Sequence, residues 1–448
     1  MEIELGYGTA TQRICVPDSN LVGVLRPHAT GVTSVGSDVG ADVGAGVDMS
    51  PGGGEAIGSA LVARALQEPI GAPKLSETPL AGQKVAIVTS DITRPVPSHD
   101  IIPKILDELE KAGVRQDDIT VVFGLGIHRR QTPEEMRGLV GPQVYDSVRC
   151  VDGDLSDVVH MGTTSFGTPV DITRIVAEAD FRIGVGNIEY HYFAGYSGGA
   201  KAIMPGVSTQ AAIQSNHSRM VLPEAAAGRL EGNPVREDIE EAIEHCPLHF
   251  IVNVVLGENK EIVHAVAGDY IKAHREGCKV LDSLYRMPID APADIVVSSQ
   301  GGHPKDLDLY QTQKALDNAK HAVRDGGVVV LVGSCREGFG EKVMEEWMRE
   351  AISPEALIER IEQDFQLGGH KAAAIALVLQ RADVHLVSDM DEGLVESIFL
   401  KPFPTAQEAL DAAFEKLGSD ATVLVMPYGG ATLPVVTEYY NKEKHVDE

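Results

Sequence analysis

Short apolar, β-branched runs alternate with segments of helical periodicity along most of this chain. That alternation restricts the fold more than any single motif does. KVAIVTSD (84–91) is a continuous apolar run of the kind a parallel strand covered on both faces requires. A turn with two prolines follows, and then SHDIIPKILDELEKAG has helical spacing, with Ser98 expected as N-cap and Gly113 as the stop. DITVVFGLG (118–126), FRIGVGNIE (181–189) and HFIVNVVLG (249–257) read as further buried strands. Past MPIDAPAD (287–294) a second series begins with the strand DIVVSSQ and the helix DLYQTQKALDNAKHAV, and the alternation continues through ATVLVMPYGG. The pattern predicts an α/β protein with mainly parallel sheets covered by helices on both faces. Ligands of such sheets collect beyond the carboxyl ends of the strands. Asp91 to Arg94, His128 and His191 each follow a predicted strand, so one crevice could gather all three.

A chain of 448 residues is long for one core and sufficient for two α/β domains, with a boundary near 287–294. Residues 27–58 are dominated by Gly, Val, Asp and Ser, and are expected to form a flexible surface insertion, with a weak β-ribbon as the other reading. The formal charge is 38 − 66 = −28, a field that repels nucleic acid and anionic membranes and argues against both as partners. A small anionic substrate would need locally placed cations. The start, MEIELGYG, lacks the basic and apolar regions of a signal peptide, and no apolar run reaches the length of a membrane span. The five cysteines are scattered without a C-x-x-C, so a disulfide framework or thiolate zinc site is not expected. The expected setting is cytoplasmic.

Five constellations carry candidate chemistry. Asp91-Ile92-Thr93-Arg94 offers a carboxylate, a hydroxyl and a guanidinium at a strand end; Arg can grip a carboxylate through two parallel hydrogen bonds, whereas a turn-capping Asp91 and a surface-paired Arg94 would be purely structural. Gly124-Leu125-Gly126-Ile127-His128 sets an imidazole beside a close-approach turn, although a lone histidine is more often structural. Asn187 to Gly206 concentrates His191, Gly195, Gly198, Gly199 and Lys201 in one window, resembling a phosphate-cradling loop while matching neither the Walker nor the Rossmann spacing. Asn216-His217 lies in a helical segment with no second histidine at metal-binding spacing, so His217 could ligate a metal but makes no zincin motif. Lys314 falls four residues past Tyr310 and three past Gln311, close enough on a helix to share a face or its edge with them, and the three read either as carboxylate donors or as an ordinary solvent-facing helix start.

Taken in order, D-I-T-R-P, G-I-H-R, H-x-x-x-G-x-S-G-G-A-K, N-H and Y-Q-x-x-K make this chain resemble the nickel-dependent lactate racemase family, over roughly residues 84 to 320 and more loosely beyond. The resemblance implies two α/β domains with the active site in the cleft between them. One domain is expected from the chain ends, residues 1–100 and 288–448, and the other from the middle, residues 117–281, which carries the cofactor lysine. Lys201 is expected to hold, as a thioamide, a pyridinium-3,5-bisthiocarboxylic acid mononucleotide-type cofactor that binds nickel through sulfur, carbon and sulfur. His217 is expected as the fourth ligand, a set suited to square-planar nickel. Asp91, Ile92, Thr93 and Arg94 match cofactor contacts, His128 and His191 the two catalytic histidines, and Arg94, Tyr310, Gln311 and Lys314 substrate contacts. The implied reaction inverts C2 of a lactate-like 2-hydroxycarboxylic acid by hydride transfer, with a histidine on each side for the hydroxyl proton. Cofactor biosynthesis proteins are implied as partners for loading. The single tryptophan, Trp347 in EKVMEEWMRE, is not aligned with the tryptophan that lactate racemases of the family carry near the cofactor, which leaves the substrate open.

Three other functions stand beside this one. The same chemistry could act on a larger 2-hydroxyacid, such as malate, an aryl lactate or a sugar acid. A non-catalytic nucleotide or metal binder would not need both His128 and His191. A zinc hydrolase built on His128, His191 and His217 lacks a compact ligand motif and an evident general-base carboxylate.

Overall fold

The computed structural model describes residues 1–27, 53–126, 128–257 and 260–437, and it divides into two compact units. The insertion expected at 27–58 lies largely outside the described residues. Its last six positions are helical rather than irregular, because they open the helix Gly53–Gln67, whose Val62 and Leu66 enter a core. The first unit joins the chain start to residues 285–448, and the second takes the middle, through Leu284. The division thus falls after His28 and not near residue 100. The strand Val85–Ser90 is hydrogen-bonded between Ile119–Gly124 and Phe181–Ile188, which fixes it in the middle unit.

The middle unit is built on a six-stranded sheet. Its order is Ile262–Gly268, Phe250–Leu256, Phe181–Ile188, Val85–Ser90, Ile119–Gly124, Arg149–Asp152, and only the edge strand Ile262–Gly268 runs antiparallel to its neighbour. The apolar runs are buried on both faces, as in Ile87, Val121 and Ile183 on one and Val88, Val122 and Ile251 on the other. The helix Ser98–Lys111 packs Ile101, Ile105 and Leu109 into the same core. Pro97, not Ser98, occupies the cap of that helix; Ser98 is its first residue and turns its hydroxyl to Thr89 Oγ1, 2.8 Å away. Gly113 ends it as expected, at φ +81° with the next amide reaching back to Leu109 O. From Val85–Ser90 the chain builds outward through two strands and then crosses back to Phe181–Ile188 on the other side. The order therefore reverses between these two strands, and a crevice opens at such a point beyond the carboxyl ends.

The terminal unit has an all-parallel sheet in the order Lys401–Phe403, Ala382–Val387, Val323–Val332, Ala293–Ser299, Val423–Met426, Leu21–Val24. Ile295, Val297, Val328, Val330, Val423 and Val425 form its core with Leu410 of the helix Ala406–Leu417. Trp347 belongs to this unit's interior: it is 1% exposed, it lies against Gly369, and the Arg360 guanidinium stands 4.3 Å from its ring centroid. No helix among the described residues is long and apolar enough to cross a membrane.

Candidate active site

The reversal point of the middle sheet is where the sequence motifs converge. Asp91 follows the last residue of Val85–Ser90, and Glu189 follows Phe181–Ile188. Asp91 is 2% exposed and works as a hub. Its Oδ1 accepts from the Thr93 amide (3.1 Å) and hydroxyl (2.6 Å), and its Oδ2 lies 2.6 Å from His128 Nδ1. Burial alone would raise the Asp91 pKa, but the hydrogen bonds from His128 and Thr93 outweigh it and hold the carboxyl below its usual range. The two readings of Asp91 therefore merge, because it shapes the turn with one oxygen and orients His128 with the other. Ile92 N donates to Gln131 Oε1, and Gln131 is tied to Asp152, which anchors the segment between the two strand ends. Arg94 is exposed, and its Nη1 donates to the Thr93 carbonyl and hydroxyl oxygens at 3.4 and 3.5 Å.

The glycine-rich window folds back as a two-residue ribbon, Tyr190–His191 against Gly195–Tyr196, with His191 opposite Gly195. Gly195 sits at φ +76°, and a Cβ there would collide with the Arg229 carbonyl, so only glycine closes the ribbon. Gly198, also at positive φ, caps the short turn Gly199–Ala202 that carries Lys201; the Gly199 amide donates to Asn253 Oδ1, 2.8 Å away. His274 Nε2 reaches Ser197 O at 2.8 Å and holds the loop from behind. Arg236, fully buried, donates Nε to Ala194 O and Nη2 to Tyr196 O, while Asn233 Nδ2 donates to Phe193 O. Sequence reading did not single out Asn233, Arg236, Asn253 or His274. They are spread over a later helix start, a strand and another helix, and nothing local marks them as loop clasps.

Phe193 spaces the rings of the cluster. It meets His191 edge-on at 4.5 Å and His217 at 4.8 Å between centroids. His217 ends the helix Gln210–His217, whose start Thr209 caps through Ala212 N. Burial first, and then the Arg236 and Arg94 charges, push the Lys201 pKa well below that of an ordinary lysine, which favours the neutral, nucleophilic amine. Burial, followed by Lys201, His217 and Arg94, likewise lowers His191 well below its usual value and keeps it neutral. The middle unit thus brings Asp91, Thr93 and His128 into one hydrogen-bonded group, and His191, Phe193 and His217 into one ring cluster beside Lys201.

Tyr310, Gln311 and Lys314 lie in the terminal unit, on the helix Leu309–Ala319, which starts past the carboxyl end of Ala293–Ser299. Asp308 caps that helix through the Gln311 amide at 2.7 Å. Its buried face carries Thr312, Gln313, Ala315 and Leu316, while Lys314 is exposed and Tyr310 and Gln311 are partly so. Lys371, nearly buried, donates to Gln313 Oε1 at 2.7 Å and lies 5.2 Å from the Tyr310 ring centroid. Among the described residues no group of three His, Cys, Asp or Glu side chains is placed to hold a metal.

Similarity to known proteins extends over nearly the whole chain. Residues 48–228 match the family described as lactate racemase N-terminal domain, and residues 289–434 match the lactate racemase C-terminal domain. The lactate racemase of Thermoanaerobacterium thermosaccharolyticum is 32% identical over 437 residues, covering 95% of this chain and 97% of that one. The lactate racemase of Lactiplantibacillus plantarum is 33% identical over 379 residues, covering 82% and 89%. The solved structure of the Thermoanaerobacterium thermosaccharolyticum lactate racemase apoprotein superposes with a TM-score of 0.83 at 30% identity, covering 97% of this chain and all of that one. The chain therefore belongs to the lactate racemase family and is, by that membership, an isomerase.

Proposed function

We propose that this protein racemises a lactate-like 2-hydroxycarboxylic acid at C2, using a nickel-pincer nucleotide tethered to Lys201. The observation that carries the reading is the gathering at the middle sheet's strand ends of two histidines in different settings: His128 hydrogen-bonded to the Asp91 carboxylate, and His191 kept neutral in a ring cluster with Phe193 and His217, under the influence of Lys201. The residues fit the cofactor chemically. A lysine with a depressed pKa is the amine that thioamide formation needs, and the positive-φ glycines let the backbone approach a bulky planar group. Among the described residues His217 belongs to no group of three His, Cys, Asp or Glu side chains placed to hold a metal, which suits a metal whose remaining donors arrive with the cofactor. When bound, the cofactor would supply the acceptor for hydride from C2.

The protein residues would do the rest. One histidine takes the hydroxyl proton of the entering enantiomer, the other, protonated from solvent, gives a proton to the oxygen as the opposite enantiomer forms, and exchange with water resets both. The Asp91 carboxylate stabilises the imidazolium that His128 becomes. His191 starts neutral and so is ready to accept a proton. Arg94, Tyr310, Gln311 and Lys314 are proposed to hold and neutralise the substrate carboxylate; Asp91, Ile92 and Thr93 are proposed to contact the cofactor. Cofactor biosynthesis proteins are the proposed partners for loading, and the cytoplasm is the proposed setting.

The test is a panel of single-enantiomer 2-hydroxyacids, lactate, malate, aryl lactates and sugar acids among them, given to protein co-expressed with the cofactor biosynthesis enzymes. Chiral chromatography should show conversion of one acid class to an equal mixture of enantiomers, or to an epimer where a second centre is present. No conversion of any 2-hydroxyacid by protein that carries the cofactor would refute the proposal.

A further inference from the structure

The dipeptide Asn216-His217 contains an arrangement that the racemase reading does not use. Asn216 is fully buried, and its Nδ2 donates to Val235 O at 3.1 Å and to Asp238 Oδ2 at 2.8 Å. A backbone carbonyl can only accept, so the amide must present its nitrogen to this pair. The amide oxygen then faces the other way, onto His217 Nδ1 at 2.9 Å. An amide oxygen also only accepts, so Nδ1 must carry a hydrogen. A neutral imidazole has one N–H, and its lone pair is therefore on Nε2.

We propose that Asn216, locked in place by Asp238, is a positioning residue that fixes His217 as its Nδ1–H tautomer and presents Nε2 as the metal-binding nitrogen. The inference rests on the reading of His217 as a nickel ligand. The lock itself is rigid. Asp238 is fully buried on the helix Pro234–His245, and its Oδ1 accepts from the Thr164 hydroxyl at 2.6 Å. Its Oδ2 accepts from the Thr168 hydroxyl at 2.7 Å as well as from Asn216. Arg219 Nη1 approaches the same oxygen at 3.4 Å. Both carboxylate oxygens already accept from separate segments and have no hydrogen to give, so a flipped amide oxygen would face acceptors alone, at Asp238 and at Val235 O. Phe193, edge-on to the imidazole at 4.8 Å, fixes the ring plane. Outer partners of this kind set the tautomer of a metal-bound histidine, and their loss weakens metal affinity by about 10- to 100-fold.

The test reads the tautomer directly. Full-length apoprotein labelled with 15N at its histidines is examined by long-range 1H–15N correlation, and the His217 signals are identified by their loss in His217→Gln. The expected spectrum has Nδ1 as the protonated nitrogen and Nε2 as the one bearing the lone pair. In Asn216→Leu the hydrogen should move toward Nε2, the form imidazole favours in water, and nickel retention after loading should fall about 10- to 100-fold. Asn216→Asp keeps an acceptor for Nδ1–H while setting two carboxylates together. It should retain the tautomer despite lower stability, which separates tautomer control from mere support of the fold. An Nε2–H majority in the wild type, or an unchanged tautomer in Asn216→Leu, would overturn the proposal. If instead the His217 signals are Nδ1–H in the apoprotein but do not shift when the cofactor is loaded, the metal-ligand reading fails and the tautomer assignment stands.

Discussion

Replacing Asp91 with asparagine removes one charge from the candidate site and almost no volume. Three donors converge on the two carboxylate oxygens, the Thr93 amide, the Thr93 hydroxyl and His128 Nδ1. An asparagine has one oxygen to offer them. If that oxygen stays with Thr93, the amide nitrogen faces His128 and demands a lone pair on Nδ1, so the imidazole hydrogen moves to Nε2 and the proton-accepting nitrogen is lost. If the oxygen turns to His128, the tautomer survives but the charge-assisted bond becomes neutral. Such a bond contributes about 1.5–3 kcal/mol, which sets the smaller loss at roughly 10- to 160-fold in kcat/KM. Inverting the tautomer of a carboxylate-oriented histidine can cost about 10⁴-fold. The assay is the initial rate of racemisation of each lactate enantiomer, or of the best acid from the panel, with cofactor content measured so that rates refer to loaded protein. Because enantiomers have equal free energy, kcat/KM must be the same in both directions for every variant, an internal control on the measurement. A loaded Asp91→Asn enzyme within about threefold of the wild type would refute the argument, since less than ~1 kcal/mol cannot accommodate a lost charged hydrogen bond.

Further predictions concern the frame of the site. Gly195→Ala forces a side chain into the left-handed region and against the Arg229 carbonyl, so thermal denaturation should show a loss of at least about 1–3 kcal/mol together with failed loading. Phe193→Ala removes a ring that is 3% exposed and lies between His191 and His217; a loss of about 3–5 kcal/mol by denaturant titration is expected. In the apoprotein, Lys201 should react with an amine-directed acylating reagent at neutral pH faster than the surface lysines, as peptide mapping would show, because its lowered pKa leaves more free amine. The same shift has a sign for stability. The folded state binds fewer protons at Lys201 than the unfolded chain does, so this residue makes stability rise with pH between its folded and unfolded pKa values, and Lys201→Met should be more stable than the wild-type apoprotein at pH 7.

The sheets were legible because burial on both faces demands unbroken apolar runs, and KVAIVTSD, DITVVFGLG and FRIGVGNIE have little other use. Their order was not, because nothing in a strand states which neighbours it will hydrogen-bond. Residues 85–90 lie early in the chain but occupy the middle of the second unit's sheet, which is why a boundary near residue 100 failed. The helix at Gly53 was hidden by three consecutive glycines, which read as a breaker even though Val62 and Leu66 supply an apolar face beyond them. Asp91, His128, His191, Lys201 and His217 stood out because their residue types are chemically expensive and follow strand ends. The groups that orient them were silent. The Asp91–His128 bond spans 37 positions and the Arg236 grip on Tyr196 spans 40, and contacts at that distance leave no local pattern. Asn216 was visible only as the neighbour of His217, and its purpose emerged from where Val235 and Asp238 place the amide.

The central claim, that Lys201 tethers a nickel-bearing cofactor, is tested most directly by intact-protein mass spectrometry with peptide mapping and nickel analysis on protein co-expressed with the pincer-cofactor biosynthesis enzymes. The account predicts a mass increase localised to Lys201 with one bound nickel. An unmodified Lys201 under conditions that load another member of the family would contradict it.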